Sequence, residues 1–172
     1  MDTFKVSQKK AAKIKKTVEA DYNQLTTIIG KIINPYCSPL DEYVDIITEN
    51  LQDSENPPTN EQLESYCLNL ATHIYWAGTM VERLGIKDDI SRAVYKEVYN
   101  TNRDSNEGTV ADKNSLAELA SQQEYLINVC YSRAYKIMKS KVDNAQELLS
   151  SCKKVLSHRM QEMELTRLGG NS

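Results

Sequence analysis

The side chains that could do chemistry are few and scattered. The chain has two histidines, His73 and His158. A catalytic histidine needs a nucleophile or an acid aimed at it, and no spacing here supplies one. His73 stands beside Ile74 and near Tyr66, Tyr75 and Trp76, and His158 stands beside Arg159; both read as surface or seam-edge residues. The cysteines at 37, 67, 130 and 152 form no close pair, so neither a zinc site nor a redox motif is spelled out. Cys67, Cys130 and Cys152 fall on apolar helical positions, where a free thiol behaves as a small hydrophobe. HExxH, GxSxG and a phosphate-binding glycine loop are all missing. The sequence therefore predicts no catalytic residue, no metal site and no cofactor: a protein that binds, not an enzyme.

Two stretches carry binding chemistry. Residues 125–142 hold Arg133, Lys136, Lys139 and Lys141 with no acid, interleaved with Tyr125, Tyr131 and Tyr135. Cations for phosphates and ring faces for bases are what a nucleic-acid single strand requires. Tyrosine at four-residue spacing is also an ordinary bundle-edge residue. Arg92, Tyr95, Lys96, Tyr99 and Arg103 repeat the theme more weakly. Near the start, Lys5, Lys9, Lys13 and Lys16 lie four, four and three residues apart and share one helical face. A third cluster is acidic: Asp41, Glu42, Asp45, Glu49, Asp53, Glu55, Glu61 and Glu64 follow one another without a base between them. A metal site or a DNA-mimicking face would use such a run, and a solvated helix face beside a linker is its ordinary reading.

These groups must be positioned by helices. The 172 residues include only 6 Gly and 4 Pro, and 10 Tyr against one Phe and one Trp. A core short of Phe and Trp is built from Leu, Ile, Val, Ala and Met, as in bundles and coiled coils. The first helix is predicted over about residues 3–33, with a stripe of Ile14, Val18, Leu25, Ile28, Ile29 and Ile32, and a stop at Asn34-Pro35. Ser38-Pro39 restarts a helix whose buried face is Leu40, Tyr43, Ile46, Ile47 and Leu51. Residues 54–58 are a linker. Thr59 and Gln62 then form a capping box, opening a heptad seam of Leu63, Cys67, Leu70, Ile74, Ala77, Val81 and Leu84. Gly85 is placed to break or kink this helix, and Asp88 and Asp89 to restart it.

The final helix is the longest. After a turn at 104–108, Thr109 caps it, with Asp112 at the third position. No Pro or Gly follows until Gly169, which permits nearly 60 residues, roughly 85–90 Å. Its seam runs through Leu116, Leu119, Gln123, Leu126, Cys130, Ala134, Met138, Lys141, Ala145, Leu148, Cys152, Val155, Arg159 and Met163. The successive steps of four at Cys130, Ala134 and Met138 are a stutter that unwinds a left-handed supercoil. A turn so short implies an antiparallel hairpin. The fold expected is an all-α, elongated helical bundle with a long coiled-coil-type C-terminal helix. Residues 1–53 form an N-terminal pair of helices, residues 59–168 the hairpin, and residues 169–172 a tail.

The net charge of −3 conceals a pattern of basic ends and an acidic middle. Basic ends suit nucleic acid, or the acidic middle of a neighbouring copy. The N-terminus lacks the apolar stretch of a signal peptide and no run is long enough to span a bilayer, so the reading is a reduced, cytoplasmic protein without a membrane partner.

The span from about Tyr75 to Arg167 resembles a loose group of small helical proteins of tailed phages and prophages. The pieces that carry the resemblance are residues 92–99, residues 107–113 and the long helix from Tyr125 through Met160. Such proteins are encoded beside recombination and replication genes. The resemblance implies a non-enzymatic helper of phage DNA metabolism in a bacterial host cell, contacting single-stranded DNA or a recombination or replication protein. Long unpaired seams imply a homo-oligomer, with a dimer favoured. Two rivals remain open: an inhibitor of host defence of the anti-CRISPR type, and a structural coiled-coil adaptor.

Overall fold

The computed structural model describes the backbone of residues 2–169 and the side chains of residues 13–168. Among these residues the protein is all helix, without strands: α1 Asp2–Gln52, α2 Asn60–Ser105, α3 Val110–Ala120 and α4 Gln122–Gly169. The all-α class and the long final helix match the expectation. Three details do not, and each has a local cause.

First, α1 does not stop at Asn34-Pro35 or restart at Ser38-Pro39, but runs through both prolines. A proline inside a helix costs about 3 kcal/mol, because it deletes a ladder bond and crowds the carbonyl four residues back. Here Pro35 and Pro39 are one turn apart on the exposed face, so the ladder bonds they delete lie on the side away from the core. The opposite face carries Ile33, Cys37, Leu40 and Ile47, all buried. Burying large aliphatic side chains stabilises by about 1.5–3 kcal/mol each, enough to offset the proline penalty.

Second, α2 passes through Gly85 and Asp88 without a break. Gly85 is a space-making residue: a Cβ there would stand 3.3 Å from the Tyr135 ring. Third, the last helix is not one piece from Thr109. It is interrupted at Ser121, whose backbone angles (φ −104°, ψ 11°) leave the helical region. The Ser121 hydroxyl donates to the Ala117 carbonyl at 2.7 Å, a back-bond of the kind that bends helices. The caps themselves form as the sequence predicts. The Thr59 amide donates to the Gln62 side chain while the Thr59 hydroxyl accepts from the Gln62 amide, and Thr109 and Asp112 make the same exchange.

The chain divides into two compact units, each drawn from two stretches of the sequence. Unit 1 is Met1–Asn34 with Ile90–Ala134; unit 2 is Pro35–Asp89 with Tyr135–Ser172. α1, α2 and α4 each contribute a segment to both. The borders fall at Asn34-Pro35, after Asp89, and at Ala134, where the sequence has its prolines, its expected restart and its stutter.

Unit 2 is a three-helix arrangement. α2 runs antiparallel to α4: Gly85 meets Tyr135 at one end, and Asn60 reaches the Met163 thioether at 3.4 Å at the other. α1 runs parallel to α4, Cys37 donating to the Met138 sulfur and Lys141 pairing with Asp41. Leu40, Ile47, Leu63, Leu70, Leu84, Met138 and Cys152 are almost completely buried between them. The turn between α1 and α2 is set by Asp53, which accepts from the Glu55 and Asn56 amides; those bonds hold its carboxyl below the usual aspartate range. Arg159 donates to the Pro58 carbonyl and ties that turn to α4.

Unit 1 packs α2 against α3 and the start of α4. Asn128 donates to the Ser91 hydroxyl at 3.0 Å, and the Tyr95 and Tyr125 rings stand 5.5 Å apart. Gly108 makes the connecting turn at φ +119°, a conformation only glycine adopts freely. On the inner side of α3 lie Ala117 and, at its C-cap, Ser121, both fully buried. These small residues take the inside, and the expected seam residues Leu116 and Leu119 are turned outward at 45% and 70% exposure. No helix among the described residues is long and apolar enough to cross a membrane.

Candidate functional site

The basic stretch of α4 is partly committed to packing. Arg133 in unit 1, and Lys136 and Lys139 in unit 2, are exposed. Lys141 is not free: its ammonium lies 2.7 Å from both oxygens of Asp41. Both groups are more than a third exposed, so the pair contributes little net stability, but it neutralises one cation of the set. Tyr131 and Tyr135 are half-buried. Tyr135 packs its ring over Gly85, and Tyr131 lines a groove in unit 1. The pattern of cations with two tyrosines therefore resolves into three exposed cations and two rings engaged with their own unit. On α1, Lys13 and Lys16 are exposed, and Lys15 stands 3.8 Å from Glu19. The side chain of Lys9 lies outside the described residues.

The seam residues sort by unit. In unit 2, Leu63 and Leu70 are fully buried, Val81 is buried, and Cys67, Ile74 and Leu148 are half-buried; Val155 is exposed. In unit 1, Leu116, Leu119 and Leu126 are all exposed. Burial pushes the thiols of Cys37, Cys67, Cys130 and Cys152 above their ordinary range, which makes them packing residues and poor nucleophiles. Asp41 adds to the effect at Cys37, and Lys141 opposes it. No group of three or more metal-ligating side chains stands together among the described residues.

Two concave features emerge that sequence reasoning did not find. In unit 2, Pro35, Tyr36 and Pro39 of α1 face His73, Trp76 and Met80 of α2 across a shallow groove of ≈ 190 Å³. His73 stacks on Tyr43 with ring centroids 5.1 Å apart, and Tyr75 meets Trp76 edge-on at 5.5 Å. Trp76, the only tryptophan, is 62% exposed. Only a helix running through the prolines puts Tyr36 and Pro39 on one face, so the assumption of a break hid this groove.

In unit 1, α1 and α4 enclose a larger groove of ≈ 700 Å³. Its floor is Leu25, Ile28 and Ile32 on one side and Leu126, Ile127 and Cys130 on the other, with Asp21, Gln24 and Gln122 at the rim. The α1 side of it was present in the sequence as the stripe through Leu25, Ile28 and Ile32, but nothing there said that α4 would cover it.

No protein-family model matches the chain, and neither a curated protein nor a solved structure is similar to it.

Proposed function

We propose that this is a non-enzymatic, phage-type binding protein, acting as a homo-oligomer in the host cytoplasm. It assists DNA recombination or replication by contacting single-stranded DNA or a protein of that machinery. The observation that carries the reading is the exposure of Arg133, Lys136 and Lys139 along a stretch of α4 that holds no acid from Tyr125 to Val142. Such cations engage phosphates through counterion release, so affinity falls steeply with salt. The engagement of Tyr131 and Tyr135 in packing favours backbone contact over base stacking, and hence weak sequence preference.

The test is a fluorescence-anisotropy titration with labelled single-stranded DNA at low and moderate salt. Binding that weakens as salt rises, and that is lost in the triple variant R133E/K136E/K139E, supports direct DNA contact. No binding at low salt removes it.

A protein partner is favoured by a separate observation, the exposed Trp76 groove. Trp, Tyr and Met are among the residue types enriched at interface cores, and Tyr36, Trp76 and Met80 border it. Pull-down of phage and host proteins with wild type and W76A distinguishes a helper of recombination from an inhibitor of host machinery by the identity of what is captured.

A further inference from the structure

We infer that Tyr125 and Tyr95 of unit 1 form a base-stacking position for single-stranded DNA, with Glu118 and Gln122 placed to read the edge of the stacked base. The inference rests on the single-strand reading above and adds the place where a base, not a phosphate, is held. Tyr125 is the tyrosine of the 125–142 stretch that packing leaves open. Tyr131 and Tyr135 are half-buried, whereas Tyr125 is 50% exposed. Its ring stands 5.5 Å from that of Tyr95 at an interplanar angle of 58°, and Tyr95 stands 6.2 Å from Tyr99. Tilted pairs of this kind are favourable contacts, so Tyr95, itself half-buried, braces the Tyr125 ring without covering it. A braced ring has little freedom left to lose when a base settles on it, which suits a stacking platform.

The two rings line a concavity of ≈ 300 Å³ together with Glu118 and Gln122, at the lower end of the sizes that hold small flat ligands. Glu118, Gln122 and Tyr125 follow one another at steps of four and three, so they share one side of the run from α3 into α4.

The polar pair decides what enters. A carboxylate repels a phosphate and accepts from N–H donors, and the Gln122 amide both donates and accepts. A base edge satisfies both. Adenine, cytosine and guanine carry an exocyclic amino group for the carboxylate, and thymine does not. The cations stand outside the concavity. Arg92 and Lys96 are exposed on the same edge of α2 as Tyr99, at steps of four and three, and the exposed Arg133 lies farther along α4, about 12 Å from Tyr125 at the helical rise. Phosphates beside the stacked base thus meet cations while the base meets rings and acceptors, as single-strand sites arrange them.

The experiment is an anisotropy titration of the full chain with labelled oligo(dC) and oligo(dT), two pyrimidine strands that differ at the amino group, at several salt concentrations. Wild type is expected to hold oligo(dC) more tightly, by about fivefold or more. Y125L keeps an apolar side chain against Tyr95 but has no ring. It is expected to lose affinity for both strands, by about five- to a hundredfold, with its helical circular dichroism and its salt slope unchanged, because the slope counts phosphate contacts. Y125F keeps the ring and is expected to keep the affinity. E118A, at an exposed position, is expected to bind oligo(dT) at least as tightly as wild type and to lose the preference for oligo(dC). Photo-cross-linking of wild type to a strand carrying iodocytosine reads the contact without any substitution: attachment at Tyr125 or Tyr95, located by mass spectrometry, is expected.

Y125L that binds both strands as wild type does, or cross-links confined to other residues, overturns the inference while the phosphate contacts of Arg133, Lys136 and Lys139 stand. Equal affinity of wild type for the two strands overturns the reading of the base edge. No binding of wild type to either strand at low salt removes direct DNA contact and this inference together.

Discussion

The two units share α1, α2 and α4, with α3 in unit 1 alone, yet they bury different amounts of their large apolar side chains. Unit 2 buries large aliphatic side chains from all three: Leu40 and Ile47 of α1, Leu63, Leu70 and Leu84 of α2, and Met138 of α4. Among the described residues of unit 1, the fully or nearly fully buried apolar ones are Ile33, Ala117, Cys130 and Ala134, three of them small. The units also differ in charge. Unit 1 has 12 Lys and Arg against 9 Asp and Glu, leaving +3, and unit 2 has 9 against 15, leaving −6. A segment that spends its large apolar residues on its own core can stand alone. Unit 1 keeps Ile14, Val18, Leu119 and Leu126 exposed. The chain thus pairs an acidic half with large buried aliphatic side chains and a basic half whose buried apolar residues are mostly small.

The largest test of this contrast is truncation of matched residues. Leu70→Ala in unit 2 removes a fully buried side chain and is expected to cost about 2–5 kcal/mol. Val18→Ala in unit 1 trims a side chain that is 59% exposed. Its own-chain cost should be under about 0.5 kcal/mol, with any larger loss scaling with protein concentration, because it then reflects dissociation. Urea unfolding followed by circular dichroism at two concentrations checks both. Equal, concentration-independent losses would show that unit 1 has a core of its own.

How much of this could be read beforehand depended on the range of the interaction. Both capping boxes were legible because Thr59–Gln62 and Thr109–Asp112 are exchanges within one turn. The α2 seam was legible because its heptad pattern has its cover within the same chain. The continuity of α1 was not, since local propensity at Pro35 and Pro39 is overridden by burial on the opposite face. Ser121 was missed because a single back-bond to Ala117 leaves no periodic trace. The outward turn of Leu116 and Leu119 was missed for a different reason: periodicity finds an apolar face but not what covers it. The same limit left the basic stretch of α4 half-read, since neither Asp41 opposite Lys141 nor Gly85 beneath Tyr135 is near it in sequence.

A smaller effect separates the two caps. Thr109→Ala should cost about 1 kcal/mol and act locally, because α3 has only 11 residues and helices so short are marginal alone. Hydrogen exchange should show faster amides in α3 while unit 2 is unaffected. The cap also has a pH signature. The Thr109 hydroxyl, at 2.6 Å, and then the Thr109 amide hold the Asp112 carboxyl below the ordinary value of 3.8. A lowered value means the folded state favours the carboxylate. The stabilisation is fully present above pH 3.8 and disappears as pH falls through the folded value. Asp112→Asn should abolish the acid-dependent part of α3 protection. Protection of α3 that does not change on acidification would remove the carboxylate from the cap.

The finest comparison uses glycine as a probe of packing. Gly30 in unit 1 lies in the helical interior of α1, and a Cβ there would meet only the Asn34 amide, at 3.8 Å. Gly30→Ala should therefore realise most of the helix-propensity gain of alanine over glycine, about 0.5–1 kcal/mol. Gly85 in unit 2 has the same propensity to gain, but its Cβ would come within 3.3 Å of the Tyr135 ring. The ring is half-buried against α2 and must give by a few tenths of an ångström, so Gly85→Ala should gain less than Gly30→Ala or lose slightly. Relieving the contact in the Tyr135→Leu background should restore the gain at Gly85 and leave Gly30 untouched, a coupling that a double-mutant cycle reads directly. If both alanines gained equally, Tyr135 would not be packed on Gly85, and unit 2 would be as loosely covered there as unit 1.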